Sequence, residues 1–200
     1  FFNAPTPASI AAAIVARGTG QISSKRLPSY IGHDASETAV APIAIIAMTG
    51  RFPGANSIEQ FWANLVAEKE GITYFTREEL DPSIPTDLRS DDNYVAGRGV
   101  IDGVEMFDAA FFGISPREAE LMDPQQRIFL EICWECLERA GYAPDGCLVP
   151  VGVFGGMYNA TYFQKHVSGY PDRIAQLGEF QVMLANEKDY VATRVANRLN

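Results

Sequence analysis

Two helix starts stand back to back near the middle of this chain, and together they fix a corner in whatever fold forms. Ser115-Pro116-Arg117-Glu118 sets a capping hydroxyl ahead of a proline at the first helical position, with a glutamate three residues after the cap. Serine there accepts a hydrogen bond from a backbone N–H that has no helical partner, and proline gives up an N–H that would have gone unused. The short helix so opened is expected to end near Met122. Asp123-Pro124-Gln125-Gln126 repeats the device at once, with Gln126 where the reciprocal side chain of a capping box belongs. The second helix is expected to run to Gly141, a residue suited to the left-handed turn that ends helices. Ser115, Pro116, Arg117, Asp123, Pro124 and Gln126 are therefore structural candidates. Arg127, Glu131, Glu135 and Glu138 fall on the polar side of the second helix, and Arg127 is a candidate for a structural ion pair rather than a substrate contact.

The rest of the chain is organised around this corner. Ile43 to Met48 is a continuous apolar run bounded by Pro42 and by Thr49-Gly50, short and β-branched, which predicts a strand buried on both faces. Val151-Gly152-Val153-Phe154 is a second such run. It leads into Gly155-Gly156-Met157, where close packing explains the glycines better than a phosphate cradle, because no GxGxxG or GxxxxGK[ST] pattern is present. Ser57-Ile58-Glu59-Gln60 is another capping box. It opens a helix with Ile58, Phe61, Trp62, Leu65 and Val66 at helical spacing. Thr6 to Arg17 reads as a short helix and Gly18 to Ala39 as a linker by composition. Asn186 and Asp189 can start a last helix that carries Ala192, Val195, Ala196 and Leu199 and still runs at Asn200. Strands of this kind belong in an α/β fold, a sheet covered by helices.

Charge and cysteine content exclude several function classes. The formal net charge is −9, which argues against nucleic acid and anionic membrane surfaces as partners. The stretch from Glu68 to Asp108 holds eleven acidic and four basic residues, −7 of that total, and reads as a solvated, irregular acidic excursion. No apolar stretch approaches membrane-span length. The three cysteines, Cys133, Cys136 and Cys147, form no disulfide framework, so a reducing cytoplasm is the simpler compartment. Cys133-Trp134-Glu135-Cys136 looks like a redox or zinc motif. A redox pair needs its first thiol at a helix N-terminus, and this one sits about three turns into a helix. Phe129, Cys133, Cys136, Leu137 and Ala140 share one apolar stripe, so both thiols are expected to be packed and inert. Zinc would need two further ligands, and Cys147 and His166 lack ligand-pair spacing.

The order of these motifs resembles a known family. Phe112-Gly113-Ile114-Ser115-Pro116-Arg117-Glu118-Ala119 followed by Met122-Asp123-Pro124-Gln125-Gln126-Arg127 resembles the β-ketoacyl synthase (ketosynthase) domains of bacterial modular type I polyketide synthases. Ile43 to Ala47 with Gly50-Arg51-Phe52-Pro53-Gly54-Ala55 is similar to the family's opening strand and loop. Trp134-Glu135 with Leu137-Glu138-Arg139-Ala140-Gly141-Tyr142 is similar to its next helix, and Val151 to Phe154 to its next strand. The Phe75 to Leu80 and Lys188 to Val195 segments resemble bacterial modular synthases, often of hybrid peptide–polyketide type. Phe2 to Ile10 resembles the last helix of an acyl or peptidyl carrier domain. The organisation implied is a carrier helix over 1–17, a linker over 18–39, and the N-terminal part of a ketosynthase over 40–200, with both ends of the chain cut.

The resemblance implies a thiolase-like, layered αβαβα fold that works as a homodimer. It implies decarboxylative Claisen condensation of an acyl thioester with a malonyl-type extender held on the phosphopantetheine of a carrier domain, in an assembly line that also holds an acyltransferase domain. That chemistry needs a cysteine thiolate and two histidines. None of the three matches a residue here. The nucleophile is expected shortly beyond Asn200 and the histidines later, so no catalytic, cofactor or metal residue is assigned, and His33 and His166 are not carried over. Met157, Tyr158, Tyr162 and Phe163 are expected near the family's substrate entrance or dimer contact, with plain packing as the alternative. The rival reading of the whole is a non-elongating domain of the condensing type, or one that serves only as scaffold or docking module.

Overall fold

The computed structural model describes residues 43–142 and 149–199. The chain divides into two units, Phe1–Ile43 and Ala44–Asn200. The helix expected over Thr6 to Arg17, the linker over 18–39, His33 and Cys147 all lie outside the described residues.

The corner forms as its caps dictate. Helix α1 spans Ile58–Val66, with Ser57 Oγ accepting from the Gln60 N–H at 3.1 Å while Gln60 Oε1 accepts from the Asn56 N–H at 2.8 Å. After it come strand β1 (Ile72–Tyr74), the short helix α2 (Thr86–Ser90) and strand β2 (Gly97–Gly99). Helix α3 (Pro116–Leu121) and helix α4 (Pro124–Arg139) follow, each with proline in its first turn. Gly141, at φ +79°, ends α4: its N–H reaches the Glu138 carbonyl at 3.0 Å and the Tyr142 N–H reaches Leu137 at 2.9 Å. That paired closure needs a left-handed residue, which glycine supplies without steric cost.

The core sits where α3 and α4 meet the C-terminal helices. Phe112, Ile114, Met122, Leu130, Ala185 and Val195 are buried together, with Phe129, Cys133 and Trp134 packed against them. Trp134 meets the Phe111 ring edge-on at 4.7 Å. A smaller cluster joins Leu121, Val167 and Val182 to Tyr162, Phe163, Ile174 and Leu177. It is built by a π-helical turn over Phe163–Val167, helix α5 (Pro171–Leu177) and helix α6 (Glu179–Asn186). A 3-10 turn over Lys188–Tyr190 then leads into helix α7 (Val191–Arg198).

Several expectations are corrected. The runs Ile43 to Met48 and Val151 to Phe154 form no regular element and join no ladder among the described residues. Nor are they buried on both faces: Ile45 is 81% exposed and Phe154 95%. A strand is stabilised by a neighbour that pairs its N–H and C=O groups, and no described segment offers one. The one ladder among the described residues is β1 against β2, antiparallel, with Thr73 opposite Arg98. The layered α/β arrangement is therefore not assembled among the described residues, which are mostly helical.

Helix α1 forms as its spacing predicts, yet Trp62, Leu65 and Val66 on its apolar side stay exposed. The acidic stretch 68–108 is not structureless, since it holds β1, α2 and β2. Helices α5 and α6 were not foreseen. Asn186 closes α6 instead of opening the next helix, and Asp189 lies in the 3-10 turn. Helix α7 stops at Arg198, with Leu199 as its C-cap.

Candidate functional site

Ser115 Oγ accepts from the Glu118 N–H at 3.2 Å, and Asp123 Oδ1 from the Gln125 N–H at 2.8 Å. Pro116 and Pro124 occupy the first helical positions behind those caps, and Arg117 follows Pro116 in the first turn of α3. Gln126 does not reach back as a capping-box partner. Its side chain is buried and points to the other side of the corner, where Nε2 donates to the carbonyls of Glu187 at 3.1 Å and Leu184 at 3.3 Å. Its Oε1 accepts from Arg194 Nε at 2.9 Å, and Arg194 Nη1 is 2.8 Å from Glu118 Oε1. The Asp123 N–H donates to the Ala185 carbonyl at 3.0 Å, and Asn186 Nδ2 to those of Leu121 at 2.7 Å and Val182 at 2.8 Å.

This is a polar clasp. It ties the joint between α3 and α4 to the C-terminal end of α6 and to α7. The Arg194–Glu118 pair is 9% and 15% exposed, so solvent screens it little. Arg198 adds a bond from α7 to the Gly113 carbonyl at 3.2 Å. Chemically the clasp fixes helices.

Arg127 does not make the expected ion pair: no carboxylate lies within salt-bridge distance among the described residues. Its charge acts at longer range on Asp123 and Glu131. Burial pushes the Asp123 carboxyl up, and the Gln125 N–H and Arg127 pull it back only in part. Burial likewise raises Glu131, with Arg51 opposing.

On the opposite flank of α4, Arg51 grips Glu135 with both guanidinium nitrogens, and Arg139 grips Glu59 of α1 at 2.6 and 3.1 Å. The Arg139 guanidinium leads in holding the Glu59 carboxyl down at about 2. The Arg51 bond holds Glu135 below the usual carboxylate range.

A groove of about 480 Å³ runs between α4, α7 and the segment Val149–Phe154. Phe129, Cys133 and Cys136 form one wall and Val195, Ala196 and Leu199 another. A smaller cavity of about 250 Å³ shares Cys136, Leu137, Val149 and Val151 with it and extends to Ile46 and Ala47. The thiols thus face apolar surroundings, and burial pushes Cys133 up to about 11. A thiol so raised is a poor nucleophile at neutral pH. Gly155 sits where a Cβ would come within 3.1 Å of the Phe129 ring, so close packing accounts for that glycine. Among the described residues, no three His, Cys, Asp or Glu side chains are grouped to hold a metal ion.

The four residues expected at an entrance or dimer contact do not act as one group. Tyr162 and Phe163 pack in the smaller core cluster, and Tyr162 Oη donates to the Glu120 carbonyl at 2.9 Å. Met157 is half-buried, and Tyr158 is exposed. Sequence reasoning missed Arg194, Glu118 and Asn186 as members of the clasp. Each reaches a partner more than sixty positions away, and no local pattern announces such a contact.

Residues 40–200 match the family described as beta-ketoacyl synthase, N-terminal domain. One component of the phenolphthiocerol/phthiocerol polyketide synthase of Mycobacterium tuberculosis is 37% identical over 165 residues, which cover 79% of this chain and 11% of that protein. Spectinabilin polyketide synthase system protein NorA′ of Streptomyces orinoci is 40% identical over 182 residues, 88% of this chain and 5% of that protein. Among solved structures, ketosynthase twelve of the bacillaene polyketide synthase of Bacillus amyloliquefaciens superposes with a TM-score of 0.65 at 32% identity. The match covers 78% of this chain and 27% of that one. The ketosynthase from module 6 of the bacillaene synthase of Bacillus subtilis 168 gives 0.59 at 34% identity, covering 78% and 25%. The chain thus spans about a quarter of the solved relatives and roughly a tenth or less of these curated ones.

Proposed function

This chain belongs to the β-ketoacyl synthase family, as an N-terminal ketosynthase segment of a modular type I polyketide synthase, and we propose that in the full protein it serves carbon–carbon bond formation by decarboxylative Claisen condensation. The family match over residues 40–200 carries this reading. In that reaction an acyl group sits as a thioester on an enzyme cysteine. A malonyl-type extender on a carrier loses CO2, the enolate carbon attacks the acyl carbonyl, and the cysteine thiolate leaves.

In this reading residues 1–17 close a preceding carrier domain, 18–39 link it, and 40–200 begin the ketosynthase. Its partners are acyl or peptidyl carrier domains bearing phosphopantetheine, the acyltransferase domain of the same assembly line, and a second copy of the ketosynthase. The setting proposed is cytoplasmic.

The contribution of this segment is architectural. The clasp of Gln126, Asn186, Arg194 and Glu118 joins four helices into one frame, and no residue here is assigned to the chemistry. Cys133 and Cys136 are unsuited to it. They lie well inside α4 rather than at its N-terminus, and Cys133 is held protonated. The 200 residues alone are therefore inactive in condensation. A mass-spectrometric loading assay with an acyl thioester tests this. The expected result is no acyl adduct on the 200-residue chain and an adduct on the intact synthase. An adduct on Cys133 or Cys136 overturns the reading.

A further inference from the structure

We draw no further inference here: the strongest candidate, the apolar groove between α4, α7 and the segment Val149–Phe154 with Cys133 and Cys136 on one wall, carries nothing, because nothing in the structure shows what covers it.

Discussion

Arg194 is the residue on which most of the clasp depends, since it answers both Gln126 and Glu118. Replacing it by methionine keeps the aliphatic stem but leaves the Glu118 carboxylate buried beside no cation. Breaking one partner of a buried pair costs about 3 kcal/mol or more. Arg173, by contrast, pairs with Glu120 at the surface, and Arg173→Met is expected to cost no more than about 0.5 kcal/mol. Urea titrations of the two variants in the intact protein read the difference; equal midpoints would refute it. Glu59 offers a pH test. Its carboxyl titrates at about 2 against an ordinary 4.5, with the Arg139 bond as first cause. A lowered acid favours the folded state above pH 4.5, and that contribution is lost as pH falls through about 2. NMR titration of the Glu59 side chain should show the low midpoint, and Arg139→Gln should return it toward 4.5. At this scale the sequence was readable where the contact is local. The Ser115 and Asp123 caps bond two or three residues away. Gln126 sat at a capping-box position, and only the distant carbonyls of Leu184 and Glu187 explain why its amide turns elsewhere.

Among the elements, α3 and α4 were legible because cap, proline and terminal glycine all agree, so local preference and tertiary contact point the same way. Helix α3 is six residues long, too short to persist on propensity alone. Its cap therefore carries a large share of its local stability. Ser115→Ala is expected to cost about 1 kcal/mol and Ser115→Asp to recover most of it, since aspartate accepts the same Glu118 N–H. Denaturant midpoints for the pair check this, and an unchanged Ser115→Ala variant would show that tertiary contacts alone hold α3. Helices α5 and α6 were illegible for a related reason. Pro171 opens α5 without a side-chain cap, and Gly178 separates the two after a single short stretch. Such pieces are set by what they pack on, here Leu121, Val167 and Val182, rather than by a period of their own.

For the molecule as a whole, the two apolar runs decide what this length of chain can be. Ile43 to Met48 and Val151 to Phe154 have the composition of interior strands, yet neither forms a strand among the described residues. Burial was read wrongly because burial belongs to neighbours, and no described segment pairs with either run. The same holds for α1, whose apolar side was legible from spacing while its exposure was not. The two runs, unlike α1, adjoin the groove along α4, since Val151 lines both cavities and Ile46 lines the smaller one. Contiguous apolar surface of this kind is characteristic of interfaces, and left uncovered it drives association. The solved relatives are about four times the extent of the matched region, which is ample chain to cover it. The 200-residue chain expressed alone is therefore expected to bind a hydrophobic dye strongly and to elute from size exclusion as a concentration-dependent mixture. The same residues within the intact protein should show neither. A monodisperse 200-residue chain with a sharp, cooperative melt and no dye binding would mean that the exposed runs find their own partners, and that this segment is a self-sufficient domain.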